Sequence, residues 1–199
     1  MGSGNSEEIR AKAYFQGEIG CSALVNKLGI TDQQELEEVE AYFVENATMN
    51  GFSPLAKELT PNGLKRMHFE MFGDIYGWAG QYRDYTTGRG VPFCRPEFIE
   101  KSLSKIYRDL HNEIAPNMEK STFVKSVAKF IGELNAIHPF VDGNGRTQRQ
   151  VLWLIAEYVG FTLHINDSLN KADWYASAEQ AHQLARYDKF ETLIQSLIN

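Results

Sequence analysis

The sequence predicts an all-α domain that carries one small β-hairpin. Apolar residues recur at helical spacing through most of the 199 residues. The exception is the segment 81–94, where β-favouring residues flank Gly88, Arg89 and Gly90 in YRDYTTGRGVPFC. That change of pattern predicts a short hairpin or extended flap inserted between helices.

The first two helices are predicted from their caps and their apolar spacing. Thr31 or Asp32 can cap a helix in which apolar residues recur at helical spacing, namely Leu36, Val39, Tyr42 and Phe43. Gly51 and Pro54 interrupt the pattern. A second helix begins at Pro61 and Asn62 and runs through GLKRMHFEMFGDIYGWAG, with a core-facing stripe of Met67, Phe72, Ile75 and Trp78.

Five further helices complete the predicted fold. Pro96 opens the third, through EFIEKSLSKIYRDLHNEI, and the fourth begins near Ser121 and runs into His138. The fifth is RTQRQVLWLIAEYVGF, and two more lie near 171–183 and 187–198. Because no repeat or linker interrupts the chain, we expect one domain over 22–199, preceded by an arm, 1–21, whose first residues are compatible with an expression tag.

Composition excludes several classes of function. The net charge of −6 argues against a general nucleic-acid binder, and no apolar run is long enough for a membrane span. The N-terminal segment lacks the apolar region of a secretory signal. Two cysteines without metal spacing, Cys21 and Cys94, are typical of free thiols in a reducing compartment. We therefore expect a cytoplasmic protein.

The stretch IHPFVDGNGRTQR, residues 137–149, concentrates the chemistry of the chain. Gly143 and Gly145 permit positive φ, and a helix that begins near Asn144 adds unpaired N–H groups and the positive end of its dipole. Arg146 and Arg149 share one face of that helix. These features together predict an anion site suited to two or three linked phosphates.

Two further side chains extend this site to catalysis. A single carboxylate such as Asp142, with phosphate oxygens and water, is how proteins usually hold magnesium. His138, four residues earlier, can accept a proton near neutral pH. A base, a metal ligand and a phosphate site together indicate nucleotidyl or phosphoryl transfer.

Other interpretations of the stretch fit less well. DGNG alone is more often a simple turn. A calcium loop would need glycine at Thr147 and glutamate at Trp153, a P-loop would need lysine after the glycines, and a kinase loop would space Asp and Asn differently. A zinc site lacks ligands, since the remaining histidines are scattered and fit surface or hydrogen-bonded core positions: His68, His111, His164 and His182.

At these residues the chain resembles the Fic family, whose signature is H-P-F-x-[D/E]-G-N-G-R-x-x-R. Every specified position matches, in the run from His138 to Arg149. HFEMFGDIYGWAGQYR and FCRPEFIE also resemble family segments before and after the flap, so the similarity covers roughly residues 22–165.

The resemblance implies an enzyme that moves AMP from ATP to a Tyr, Thr or Ser hydroxyl of a target protein. It implies the following roles: His138 as base, Asp142 on magnesium, Gly143, Asn144 and Gly145 as the anion nest, Arg146 and Arg149 on the outer phosphates, and Phe140 as a core anchor. The flap around Thr87, Gly88, Arg89 and Gly90 would pair with the target backbone. Trp174 or Tyr175 would border the adenine.

The resemblance also bears on reaction type and regulation. A relative that phosphorylates its target has lysine where Gly145 stands, so Gly145 favours AMP transfer. Family members are commonly restrained by a helix with the pattern [S/T]-x-x-x-[E/D]-[G/N]. AYFVEN, which contains Glu45, has only the end of that pattern. We therefore expect a separate small antitoxin-like protein that supplies a glutamate to Arg149.

Two alternatives stay open from the sequence. The same site could transfer phosphate or another nucleotide, or the protein could be a nucleotide-binding regulatory module without turnover. The target is not encoded in any recognisable pattern of the flap. The protein would act in the cytoplasm of its own cell, or in a host cytosol if it belongs to an injected effector.

Overall fold

The computed structural model describes residues 8, 11–16, 22–164 and 171–198. These residues contain seven α-helices and one pair of short strands. The helices are α1 (Gln33–Asn50), α2 (Pro61–Phe72), α3 (Ile99–Glu113), α4 (Lys120–Ile137), α5 (Asn144–Val159), α6 (Lys171–Leu184) and α7 (Asp188–Leu197). The all-α prediction is confirmed.

Helix α4 is the centre of the fold. Ten of its 18 residues are buried, so it is apolar around most of its circumference, as expected of a helix enclosed by others. It packs against α3, α5, α6 and α7. Phe123, Val127, Ile131 and Leu134 are fully buried along it. Helix α4 is therefore held in place by packing against four neighbours.

The predicted first helix is present, but Tyr42 does not face the core. Asp32 caps α1 by accepting a hydrogen bond from the Glu35 N–H at 2.8 Å. Leu36 is buried, whereas 63% of Tyr42 is exposed. The reason is angular, since six residues place Tyr42 about 120° around the helix from Leu36.

The second helix is shorter than its predicted extent through GWAG. Thr60 caps α2 and Pro61 occupies its first turn, but the helix ends at Phe72. The following segment turns repeatedly and reaches Gly80, whose φ of 74° is incompatible with a continuing helix. Ile75 is nonetheless fully buried, so the predicted stripe reaches the core from turns as well as from helix.

The segment between α2 and α3 contains the two strands, β1 (Gly88–Arg89) and β2 (Val91–Pro92). They pair antiparallel, with Gly88 opposite Pro92 and Arg89 opposite Val91. We use "flap" for residues 87–92. A 3₁₀ turn, Pro96–Phe98, then leads into α3.

The structure also bears on the expectations about the cysteines and about membrane spans. Cys94 is a free, partly buried thiol, and Cys21 lies outside the described residues. Within the described part of the chain, no helix combines the length and apolarity that crossing a membrane requires.

Candidate active site

His138 lies where α4 ends and adopts a left-handed conformation, with φ 48° and ψ 62°. Its N–H still donates to the Leu134 carbonyl at 3.1 Å, so it caps the helix. Its ring stacks on Phe93 with centroids 3.9 Å apart and planes 5° apart. The imidazole is thus held at the junction between the central helix and the base of the flap.

The surroundings of His138 keep its ring neutral. The pKa of His138 is lowered to about 3, mainly by burial, then by the positive charges of Arg89 and Arg83, with a smaller effect from His182. The Asn135 carbonyl acts in the opposite direction. At neutral pH the ring is therefore in the form that can accept a proton.

The loop after His138 is closed by its own side chains. The Asn144 side chain accepts from the Phe140 N–H at 3.0 Å and donates to the Phe140 carbonyl at 2.9 Å. These two bonds hold the buried Asn144 amide against the Phe140 backbone and so fix the end of the loop where α5 begins.

His68 holds the same loop from α2. Its Nδ1 accepts the Gly80 N–H at 3.0 Å, so Nε2 carries the proton that bonds the Asp142 carbonyl at 3.0 Å. Burial lowers the pKa of His68 to about 3 and outweighs the effect of that bond. Its ring also stacks on Phe140 at 3.9 Å, which makes Phe140 a buried anchor.

Helix α5 begins in a geometry that suits an anion. Gly143 precedes it with φ 77° and ψ 0°. Both the N–H and the hydroxyl of Thr147 bond the Gly143 carbonyl at 3.0 Å, which orients the first turn. The N–H groups of Asn144, Gly145 and Arg146, which precede Thr147, have no acceptors within the helix, and the dipole adds positive potential there.

The two arginines of the signature have different surroundings. Arg146 bonds Glu40 at 2.7 Å and Asp142 at 2.9 Å, and Glu40 is itself buried and accepts from the Tyr76 hydroxyl at 2.5 Å. Although burial alone lowers the pKa of Arg146, the Asp142 and Glu40 carboxylates raise it overall. Arg146 is thus already neutralised by carboxylates.

Arg149 has no carboxylate within 4.0 Å among the described residues. Its guanidinium lies 5.6 Å from the centre of the Trp174 ring. Burial lowers the pKa of Arg149, and the positive charge of Arg146 acts in the same direction. Such a cation is the one best placed to receive an incoming anion.

Asp142 fits a shared metal ion better than a protein cage. Its side chain is 51% exposed, and Arg146 bonds one of its two oxygens. Within the described ranges, no group of three or more His, Cys, Asp or Glu side chains is arranged to hold a metal. One carboxylate beside a phosphate site is the donor set that Mg²⁺ commonly shares with a nucleotide.

The flap lies beside α6. Gly88, Arg89 and Gly90 are exposed and Thr87 is partly buried. His182 of α6 bonds the Val91 carbonyl at 2.8 Å, and Arg89 lies over the Tyr175 ring at 5.3 Å. Trp174 is buried beside Gly145, whereas Tyr175 is 45% exposed. The two aromatic residues expected near adenine therefore have different environments.

Several residues that build the site were not singled out as site residues by sequence reasoning: Glu40, His68, Arg83, Phe93 and His182. His68 does match the expected hydrogen-bonded core histidine. Glu40 pairs with Arg146 across 106 residues, and no local spacing signals such a contact. Among the site residues, those in the continuous segment 138–149 could be recognised from their local sequence pattern.

Gly143 and Gly145 provide a matched test of this loop. A Cβ on Gly143 would lie 2.6 Å from the Phe72 ring and would also be strained at φ 77°. On Gly145 the nearest atoms, from Arg149 and Trp174, are 3.7 and 3.8 Å away. We expect Gly143→Ala to lower the free energy of unfolding by roughly 2–3 kcal/mol and Gly145→Ala to leave it unchanged or higher. Urea unfolding followed by circular dichroism checks this, and equal losses would contradict it.

The two neutral histidines predict acid sensitivity. In an unfolded chain they titrate near pH 6.5, whereas in the folded protein the pKa values of His68 and His138 are about 3. Between these values the unfolded chain binds more protons, so the free energy of unfolding falls as pH drops below 6.5. We expect a loss of roughly 2 kcal/mol per histidine between pH 8 and pH 5. His68→Gln should weaken this dependence in urea titrations, and the exposed-site control His111→Gln should preserve it. An unchanged slope in His68→Gln would refute the assignment.

Comparison with known proteins places this geometry in a family. The model of the Fic/DOC family matches residues 58–156, from α2 through α5. "Probable protein adenylyltransferase y4lH" of Sinorhizobium fredii is 37% identical over 72% of this chain and 76% of its own length. "Probable protein adenylyltransferase Fic" of Escherichia coli is 34% identical, over 72% of each. The structure of BepC, a VirB-translocated effector of Bartonella tribocorum with bound AMPPNP, has the same fold, with a TM-score of 0.82, 22% identity and coverage of 94% of this chain and 96% of that one. The chain belongs to the Fic/DOC family.

Proposed function

We propose that this protein transfers AMP from ATP to a Tyr, Thr or Ser hydroxyl of a target protein. One observation carries the proposal: a neutral imidazole at the end of α4 and the N-terminus of α5 lie at opposite ends of one closed loop. The relatives named protein adenylyltransferases support the same reaction. We assign this activity to a single unit, 22–199.

The residues divide the reaction between them. His138 takes the proton from the attacking hydroxyl, the hydroxyl oxygen bonds the α-phosphorus, and pyrophosphate leaves. The backbone of Gly143, Asn144 and Gly145 holds phosphate oxygens, and Arg149 receives the outermost phosphate. Arg146 acts on the phosphates only if the nucleotide competes with Glu40 and Asp142 for its guanidinium.

Asp142 would hold Mg²⁺ through the oxygen that Arg146 leaves open. The ion would neutralise phosphate charge as the pyrophosphate departs. Arg146 would meanwhile fix the orientation of the Asp142 carboxylate.

The flap supports docking of an extended target segment. Its strands have only two residues each and are exposed, so a target backbone can add along their edge. The His182 bond to Val91 would fix the strand against α6. Trp174 and Tyr175 would border the adenine from α6.

Gly145 supports AMP transfer over phosphate transfer. The space around its Cβ position leaves Arg149 and Trp174 at ordinary contact distance, so the nest is open at this point. A lysine there would place a second cation beside Arg149 and change which phosphate is held.

ATP labelled separately at the α and the γ phosphate tests the reaction. We expect label to enter a protein band only from α-labelled ATP, in lysate supplied with Mg²⁺. His138→Ala should lower transfer at least about 100-fold while nucleotide affinity stays nearly unchanged, since it removes only the base. His111→Ala, at an exposed histidine in the last turn of α3, is the matched control. Transfer of γ label would show a kinase, and no transfer in several lysates would favour a silent nucleotide-binding module.

Arg149 also supports regulation by a separate protein. Because no carboxylate contacts it among the described residues, a glutamate supplied by a small antitoxin-like partner could occupy it and exclude the outermost phosphate. Glu45 is a poor internal candidate, since it is exposed and lies about 140° around α1 from Glu40, which faces the site. The partner would meet this protein in the cytoplasm of its own cell or of a host.

A substitution at Glu45 separates the internal and external inhibitors. We expect Glu45→Gly to leave the rate of AMP transfer by the isolated protein within about twofold, because surface changes away from the site are usually neutral. Transfer of α label measures it, with Glu38→Gly on the same helix as the control. A large activation by Glu45→Gly alone would show an internal inhibitory helix.

A further inference from the structure

Arg83 is a buried cation without a carboxylate partner among the described residues. It lies between Gly80 and the flap, and only 1% of it is exposed. A buried charge is normally paired with an opposite charge because desolvation is costly. Burial accordingly lowers the pKa of Arg83. An arginine in this state needs another source of compensation.

Backbone carbonyls supply that compensation. The guanidinium donates from Nε to the His138 carbonyl at 2.8 Å and from Nη2 to the Ile137 carbonyl at 3.1 Å. Nη1 donates to the Tyr85 carbonyl at 2.6 Å, and Nη2 also donates to the Cys94 carbonyl. The backbone N–H of Arg83 bonds the Pro139 carbonyl at 2.9 Å. Arg83 thus contacts three consecutive residues at the end of α4.

These bonds stabilise the backbone at His138 in two ways. The last carbonyls of a helix have no partners within it and form the negative end of its dipole. A left-handed conformation at a residue other than glycine is also unfavourable on its own. Arg83 satisfies the carbonyls, complements the dipole and holds the chain in that conformation at the same time.

The other two bonds reach both ends of the flap. Tyr85 precedes it and Cys94 follows it, and Phe93, next to Cys94, is the ring that stacks on His138. One guanidinium therefore fixes the His138 backbone and the neighbour that orients its ring.

We propose that Arg83 is a positioning residue that aligns the His138 imidazole with the base of the flap, where the target hydroxyl would arrive. The inference rests on the proposed AMP transfer. Arg83 does not contact the reacting atoms. Its effect passes through the His138 backbone and through Phe93.

The test uses two substitutions in the full chain. Arg83→Lys keeps the charge but cannot reproduce the planar fork of donors. Arg83→Met removes both. Arg95→Lys, an exposed arginine just after the flap, controls for the substitution itself. Ile194→Val, in the core of α7, controls for a general loss of stability.

Three measurements are made on each variant: MgATP affinity by calorimetry, transfer of α label in lysate, and NMR signals of the His138 ring. In Arg83→Lys we expect MgATP affinity within about twofold of the original protein and a transfer rate about 100-fold lower, because a small misplacement of a catalytic group has that effect. The upfield shift that the stacked Phe93 ring produces on the His138 protons should also disappear.

Arg83→Met should additionally raise the pKa of His138 in the same NMR titration. The titratable and charged groups that face this ring are Arg89 on the flap, His182 on α6 and Arg83 itself, and Arg83→Lys keeps the positive charge at position 83. A pKa change in Arg83→Met but not in Arg83→Lys separates loss of charge from loss of geometry.

Two outcomes would overturn the proposal. Folded Arg83→Lys could retain the ring shift and the original transfer rate, or it could lose transfer only as far as Ile194→Val does at equal stability. If the unsubstituted protein transfers no α label, the proposed function fails instead. In that case the NMR signals of Arg83→Lys still decide whether Arg83 positions the His138 ring.

Discussion

The site depends on two helix ends that are joined by one short loop, residues 138–143. The negative end of α4 is occupied by Arg83, and the positive end of α5 is left for an anion. Left-handed residues stand at both ends of the loop, His138 and Gly143. Arg83 bonds the His138 carbonyl, and His68 bonds the Asp142 carbonyl just before Gly143. The catalytic geometry is therefore a consequence of how α4 and α5 are packed, because the loop alone would not select it.

The two signature arginines differ in their carboxylate partners, and a residue of α1 causes the difference. Glu40 reaches Arg146 from that helix, and Asp142 completes the pair, so this cation orients the carboxylate beside it. Arg149, one turn further along α5, lies over the Trp174 ring and has no carboxylate within 4.0 Å among the described residues. One face of α5 thus carries Arg146, which is paired within the protein, and Arg149, which is available to bind an anion. Because Arg146 is paired, the empty site contains one unpaired arginine instead of two, which costs less folding free energy. Arg149 still provides a positive charge beside the anion nest.

Local patterns predicted the helices and the loop with its flanking charges, because caps, spacing and glycines act over a few residues. The end of α2 was misplaced because apolar residues such as Ile75 continue to reach the core after the helix stops. Glu40 and Arg83 could not be found this way. Their partners lie 106 and 55 residues away, and only the packed fold brings them together.

The neutral state of His138 connects stability with chemistry. The burial that lowers its pKa also packs Phe93 and the flap against α4, so an exposed, easily protonated imidazole would require a looser flap. The arginines on both sides, Arg83 and Arg89, add to the same effect. A docked target segment would bury the ring further and so lower the pKa of His138 more. In the proposed AMP transfer, a ring kept neutral by burial takes a proton most readily from a hydroxyl whose acidity rises as its oxygen bonds phosphorus. Proton transfer at His138 should therefore follow, or coincide with, formation of the new oxygen–phosphorus bond.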